Sequence, residues 1–474
     1  MSNLLTYFPK LFSQRAIQIY FAALTASMLI FFNRAMSPIW LVFGTVAVVG
    51  FFYFSNVLTS RWATYPEKIF LKKVFQTAFI LRLVWVIFSY FFYIQMTGQS
   101  FEFSAGDSGW YNVWGGRLAD RFLNGNFNLS AIVDSLGVSD SGYPIYLGII
   151  YSFTGKSILI VRIIKALLSA YTCVLIYRLA ARNFGEPVGK MAAIFCMLTP
   201  NLIYYCGLHL KETEMVFLTV AFVERADHAI RSQKFAFSNL ILPILLAGSL
   251  FFFRTVLGAA ALFAFLTAIM LSSEKILGMG RRIILGIWIA LTIGYFIGGN
   301  IASEVEAVWA ARDKNQAASM EYRATQESGN TFARYAGTAV FAPMIFVIPF
   351  PTMVHVPNQE NQMLIHGGNY VKNIMAFFTM LAIVLLLFKW KTWRQHLLII
   401  TFIAGYLMVI AMSAFAQSER FHLPALPFTM LLAAFGVSQM TGKKLKKYFN
   451  WWTIAIFVAI VAWSWFKLAG RGMV

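Results

Sequence analysis

Apolar runs of roughly 17 to 24 residues recur along the whole of this 474-residue chain, and each can cross a hydrocarbon core of about 30 Å. They fall at 16–32, 38–58, 75–96, 157–180, 188–206, 212–229, 237–253, 255–271, 283–300, 370–388, 396–414, 422–440 and 451–467. That is about 13 crossings, a count that shifts by one or two with the short stretches around Arg254 and 343–357. Hydrophobic residues make up 59% of the chain and charged residues 12%, too little polar surface for a water-soluble fold. The sequence therefore predicts an all-α, polytopic membrane protein in which 1–474 is a single integral membrane domain.

The formal charge of +20 does not point to nucleic acid, because the basic residues gather in short connections between the apolar runs. Lys68, Lys72 and Lys73 form one group, Arg178, Arg182 and Lys190 the next, and Arg225, Arg231 and Lys234 a third. Lys275, Arg281 and Arg282, then Lys389, Lys391 and Arg394, and finally Lys443, Lys444, Lys446 and Lys447 continue the series. Short loops rich in Lys and Arg stay in the cytoplasm, so these loops mark the inside and put the N-terminus there. The first apolar run reads as a retained helix and not as a signal peptide. Cys173, Cys196 and Cys206 lie in or beside apolar runs without Cys-x-x-Cys spacing, so neither a disulfide framework nor a thiolate metal site is expected.

With the inside fixed, 97–142 becomes the first outer loop and 302–336 the second. The first carries Glu102, Asp107, Asp120, Asp134 and Asp140 against Arg117 and Arg121, the reverse of the cytoplasmic balance. The second mixes charges of both signs and reads as solvated helix. Prolines at 343, 349, 351 and 357 would break a spanning helix, so 302–369 is expected to combine an outer loop with a re-entrant or interfacial segment. No internal repeat of the transporter type is visible.

The sharpest local feature is SAGDSGWYNVWGGRLADRF, 104–122. Trp110, Trp114, Leu118 and Phe122 recur at three-to-four spacing, which predicts an amphipathic interfacial helix with Asp107 near its start, either as an N-cap or as a reactive acid. Glu212 opens a later apolar run on the same side, beside Lys211 and His209; an acid there complements the helix dipole and also marks a polar mouth. Arg162 and Lys165 sit three apart in the outer half of one span, Arg254 sits at an outer hairpin, and Arg420 and His422 open the last-but-one span. Each cation alone reads as a snorkelling side chain, but together near two acids they resemble a pocket for a phosphate or pyrophosphate. The inner half of the spans reads as bland.

These residues, taken in order, resemble bacterial GT-C membrane glycosyltransferases, the group with protein mannosyltransferase-like and aminoarabinose-transferase-like enzymes. The likeness runs over most of the chain. It rests on the loop acid Asp107 followed by Tyr111 and Ala119, the Tyr-Pro stretch 142–147, and VRIIKALLSAYTCVLIYRLAARNFG at 161–185. A Thr-Pro before a polar outer turn, the Arg-Thr hairpin and SERFHLPALPF at 418–428 complete it. The family often has Glu beside the first acid, where this chain has Ser108, and several relatives carry Asp at the position of Glu212.

The resemblance implies transfer of a sugar from a polyprenyl-(pyro)phosphate donor to a glycan, lipid or protein acceptor, with inversion, on the outer face of a bacterial inner membrane. Asp107 would be the base or help to hold a metal, and Glu212 would orient the acceptor or a bound cation. Arg162, Lys165, Lys211, Arg254 and Arg420 would hold the lipid phosphate. Trp110, Tyr111, Trp114, Tyr143, His209 and His422 would contact sugar or the interface. No cofactor follows with certainty; a divalent metal cation stays open, although His355 and His366 lack paired ligand spacing. Two rival readings are an O-antigen polymerase or ligase, which leans on outer-loop arginines, and a transporter or flippase of lipid-linked sugar.

Overall fold

The computed structural model describes residues 5–232, 238–272, 342–413 and 415–474, with scattered positions between 278 and 332. Most of 283–300 and of 302–336, the ninth expected span and the second outer loop, lies outside the described residues.

The described residues are helical, with no strand among them. The helices are α1 (Lys10–Ile30), α2 (Pro38–Arg61), α3 (Glu67–Thr97), α4 (Gly106–Leu123), α5 (Leu129–Leu136), α6 (Val138–Thr154), α7 (Ile158–Phe184), α8 (Glu186–Leu198) and α9 (Pro200–Tyr204). After them come α10 (Glu212–Arg231), α11 (Ser238–Phe253), α12 (Thr255–Leu271), α13 (Glu360–Leu364), α14 (His366–Lys389), α15 (Leu397–Ala411), α16 (Glu419–Ser438) and α17 (Lys443–Ala469). Six of them, α2, α3, α7, α14, α16 and α17, are long and apolar enough to cross a membrane. Shorter apolar helices, α11, α12 and α15, pack beside them.

Burial sorts the helices into a centre and a rim. Helix α8 is buried along almost its whole length against α7, α2 and α16, and α14 packs on α16 and α2. Outer helices bury one stripe only. In α2, Trp40, Gly44, Val48, Phe51, Phe52, Ser55 and Thr59 face inward, while Val42, Val46, Tyr53 and Phe54 are exposed. Exposed apolar faces of that extent on several helices are what a bilayer solvates.

The run expected to be one span at 188–206 is divided. Pro200 has no N–H, so α8 stops at Leu198 and a short α9 and a 3-10 turn, Tyr205–Gly207, follow. The carbonyls left over are bonded by a buried cation on α3. Arg82 Nη2 donates to Cys196 O at 3.3 Å and Nη1 to Met197 O at 3.1 Å, while its Nε reaches Ser169 Oγ at 2.7 Å. The sequence alone assigns Arg82 no role; its task is to satisfy this break inside the bundle.

The proline-rich stretch forms no spanning helix. After a 3-10 turn at Ala342–Met344 it runs irregularly to α13, with Ile348, Met353, Val354 and Val356 buried. Helix α14 supplies the missing donors: Lys372 Nζ bonds Ile348 O, and Asn373 Nδ2 bonds Val347 O and, at 3.2 Å, Pro349 O. Non-helical backbone is tolerated inside a bundle when it is bonded in this way.

The half of the bundle expected to be bland carries a charged network instead. Arg182, at the end of α7, bonds Glu224 at 2.6 Å and Asp227 at 2.9 Å, and Arg231 bonds Asp227 at 2.8 Å and Asn183 at 2.7 Å. His396 Nδ1 lies 3.0 Å from Asn183 Oδ1, which joins α15 to the same group. These bonds tie the helix ends together.

At the opposite end α4 lies against α6, and α6 packs on α11. Their crossing is close because glycines meet it from both sides. A Cβ at Gly148 would come within 2.8 Å of Leu118 Cβ, and one at Gly115 within 2.6 Å of Leu147 Cβ. Gly148→Val is therefore expected to cost about 1–3 kcal/mol by overpacking and to lift α4 away, whereas Gly50→Val, with nothing within 4 Å, is neutral. Thermal unfolding of both variants in detergent checks this.

Candidate functional site

Four of the residues picked from sequence come together where helices α10, α12 and α16 begin, and α4 joins them through Asp107. Asp107 is in the first turn of α4, but the N-cap is Ala105 and the Asp107 side chain makes no cap bond. Instead Asp107 Oδ2 accepts from Arg420 Nη1 at 2.5 Å. Arg420 Nε donates to Glu212 Oε1, and Arg254 Nη2 lies 3.9 Å from the same oxygen. The Arg254 guanidinium rests on the Phe421 ring, 4.4 Å from its centroid. Residues 107, 212, 254 and 420 thus form one cluster of two anions and two cations.

The two acids are not equivalent. The Asp107 side chain is 60% exposed and that of Glu212 0% exposed. Glu212 is the first residue of α10, where the helix dipole favours an anion, and it backs onto a cavity of about 10 Å³ lined also by Ser169, Tyr205 and Thr213. That volume holds about one water molecule. Glu212 is fixed by its surroundings, while Asp107 faces outward.

The rest of the expected site spreads around this cluster. Lys211 Nζ bonds Asp140 Oδ1 at 2.5 Å and lies 5.9 Å from the Tyr111 ring centroid. Burial lowers the Lys211 ammonium below its usual range, opposed by Asp140. Tyr111 packs edge-on against Tyr143 with ring centroids 5.0 Å apart. Burial, then Glu212, holds the Tyr111 phenol above its usual range, so the hydroxyl keeps its proton.

Neither Arg162 nor Lys165 snorkels. Both are fully buried, because α7 is central to the bundle and apolar on every side. Lys165 Nζ bonds the carbonyls of Leu208 (2.8 Å) and Leu210 and lies 3.6 Å from Glu214 Oε2, so it braces the turn that delivers Glu212. Arg162 Nη2 donates to Ser100 O at 2.5 Å. In the same loop Ser108 Oγ donates to Glu102 Oε1 at 2.5 Å, and Asn361 Nδ2 donates to Phe103 O at 2.6 Å. The backbone just before Asp107 is pinned at three points. Glu102, Asp140 and Glu214 have no role that sequence alone reveals, since their partners lie on other elements and leave no local spacing to read.

The aromatic residues of α4 also turn out differently phased. Tyr111, Gly115, Leu118, Ala119 and Phe122 make the buried stripe, while Trp110 is exposed and Trp114 half-buried, with Arg117 over the Trp114 ring at 5.2 Å. Helix α4 is amphipathic, as expected, but its tryptophans flank the packed face. His422 leaves the cluster altogether: its Nδ1 accepts from Lys372 Nζ at 3.0 Å and its Nε2 donates to Ala416 O at 2.8 Å.

His209 is buried below Tyr143 and Tyr151. Tyr151 donates its hydroxyl to Asn112 Oδ1 at 2.7 Å, so its oxygen accepts from His209 Nε2 at 3.2 Å. Burial, with Lys165 and Arg162 close by, pushes the His209 imidazole well below its usual range. The folded protein holds it neutral, whereas the unfolded chain protonates it below about pH 6.5, so stability present above that pH is lost on acidification. His209→Gln is expected to remove up to roughly 1.4 kcal/mol per pH unit of that slope between about pH 6.5 and 5, read from denaturation midpoints.

Between Asp107 and Glu212 stands the Arg420 guanidinium, bonded to both. Among the described residues no group of three or more His, Cys, Asp and Glu is placed to hold a metal. The chain matches no family model, no curated protein and no solved structure.

Proposed function

We infer that this chain is a GT-C-type membrane glycosyltransferase of about 13 crossings, working at the outer face of a bacterial inner membrane. It moves a sugar from a polyprenyl phosphate or pyrophosphate to a glycan, lipid or protein acceptor. The observation that supports this most is the Arg420 bridge between Asp107 and Glu212, residues 313 and 208 positions away in the chain. An exposed carboxylate beside two arginines has both groups that the transfer needs.

In the reaction the acceptor oxygen attacks the anomeric carbon, its proton passes to the Asp107 carboxylate, and the bond from that carbon to the phosphate oxygen breaks. The phosphate leaves with the bonding electron pair. It is already charged, so it needs stabilisation by Arg254 and Arg420 and no protonation. Glu212 keeps the two guanidinium groups in place. Lys165, Lys211, Arg162 and Glu102 support the backbone that carries them.

A transporter of lipid-linked sugar would need polar groups free to meet cargo along the way between the two faces. The charged side chains at the far end, Arg182, Glu224, Asp227 and Arg231, are matched to one another instead. Incubating the purified chain with a panel of polyprenyl-linked sugars and glycan, lipid and protein acceptors tests the reading. Release of the lipid phosphate with one donor is expected; donors that all remain intact would contradict it.

A further inference from the structure

Carboxylates hold two of the three nitrogens of the Arg420 guanidinium. Nη1 is held by Asp107 Oδ2 at 2.5 Å and Nε by Glu212 Oε1. A guanidinium whose charge is already met by two carboxylates is a weaker phosphate site, and a carboxylate tied to it is a poor proton acceptor. We propose that Arg254 and Arg420 form the anion site for the donor's phosphate, that Asp107 is its resident occupant, and that the arriving phosphate displaces Asp107 from Arg420. The inference rests on the transferase reading above and names the subsite and the order of events within it.

Exposure decides which carboxylate yields. Asp107, 60% exposed, exchanges its arginine for water at little cost, while Glu212, 0% exposed, is cut off from bulk water. Arg254 adds the second point of capture. Its Nη1 is buried and bonds no protein atom, its Nη2 lies 3.9 Å from Glu212, and its guanidinium stacks on Phe421, the neighbour of Arg420. Two planar guanidinium forks held by one fixed acid match the several oxygens of a phosphate group.

Displacement also times the chemistry. Asp107 becomes a free carboxylate only when the donor is bound, so the donor precedes the acceptor. After transfer Asp107 carries the acceptor's proton, passes it to water from its exposed position, and returns to Arg420 as the lipid phosphate leaves.

The full-length protein in lipid nanodiscs is titrated with a short-chain polyprenyl phosphate, and the dissociation constant is read for wild type and variants. Asp107→Asn and Asp107→Ala each remove the competitor and are expected to bind about 2- to 5-fold more tightly than wild type. Arg254→Gln is expected to bind about 10-fold or more weakly. Wild-type binding with both Asp107 variants equal or weaker, or with Arg254→Gln unchanged, overturns the displacement and leaves the transferase reading standing. No binding of polyprenyl phosphate by wild type overturns both.

Discussion

Asp107→Asn is expected to lower sugar transfer by about 10²- to 10⁴-fold while the protein stays folded in the membrane. The two halves of that result come from different properties of one residue. Asparagine has the shape of aspartate but takes up no proton at working pH, so the base contribution is lost. Folding is spared because the Asp107 side chain is 60% exposed, and an exposed ion pair contributes about 0–1 kcal/mol. The loop before it stays pinned by Arg162, Glu102–Ser108 and Asn361, none of which the change touches. Transfer by Asp107→Asn at the wild-type rate would remove the base assignment.

The second large effect falls on stability. Arg420→Gln leaves Glu212 fully buried beside Arg254 alone, 3.9 Å away. Removing one partner of a buried pair costs about 3–5 kcal/mol, because the remaining charge stays buried away from bulk water. Since Arg254 persists, the loss is expected near the lower end of that range. Glu212→Gln in the same chain removes the stranded charge, so the double variant should be more stable than Arg420→Gln alone. A double-mutant cycle followed by thermal unfolding in detergent checks this, and simple additivity of the two changes would refute the coupling.

Much of the site is legible because membrane topology is written in charge and apolar length. Alternating basic loops sort the helix ends into two sets, and that sorting alone puts Asp107, Glu212, Arg254 and Arg420 on one side. Where sequence expectation and structure part, the helix phase is hidden. Helix α7 is apolar on all sides, so nothing in its pattern shows that Arg162 and Lys165 point into the bundle. In α4 two stripes, Trp110–Trp114 and Tyr111–Gly115–Leu118, both fit helical spacing, and only packing against Gly148 of α6 selects the second. His422 sits two residues from Arg420, which on a helix turns it toward Lys372 and away from the cluster.

Other features need partners distant in the chain. Glu102 has the Arg162 charge of α7 as its neighbour, and Arg82 meets carbonyls more than a hundred residues onward. Pro200 announces a break in its helix, but not which side chain will satisfy the freed carbonyls. The buried network around Arg182 and Asp227 is illegible for a related reason: Arg182 and Arg231 read as loop charges, and their pairing with buried acids emerges only when α7 and α10 are adjacent.

That Asp107 and the arginine pair break the bond between sugar and lipid phosphate is tested most directly in vesicles. The protein is reconstituted with an acceptor and a polyprenyl-linked sugar that is labelled separately on the sugar and on the lipid. Appearance of the sugar label on the acceptor, with lipid phosphate left behind and the conversion abolished by Asp107→Asn, is the expected result. Sugar and lipid labels that cross the bilayer together and never separate would contradict it.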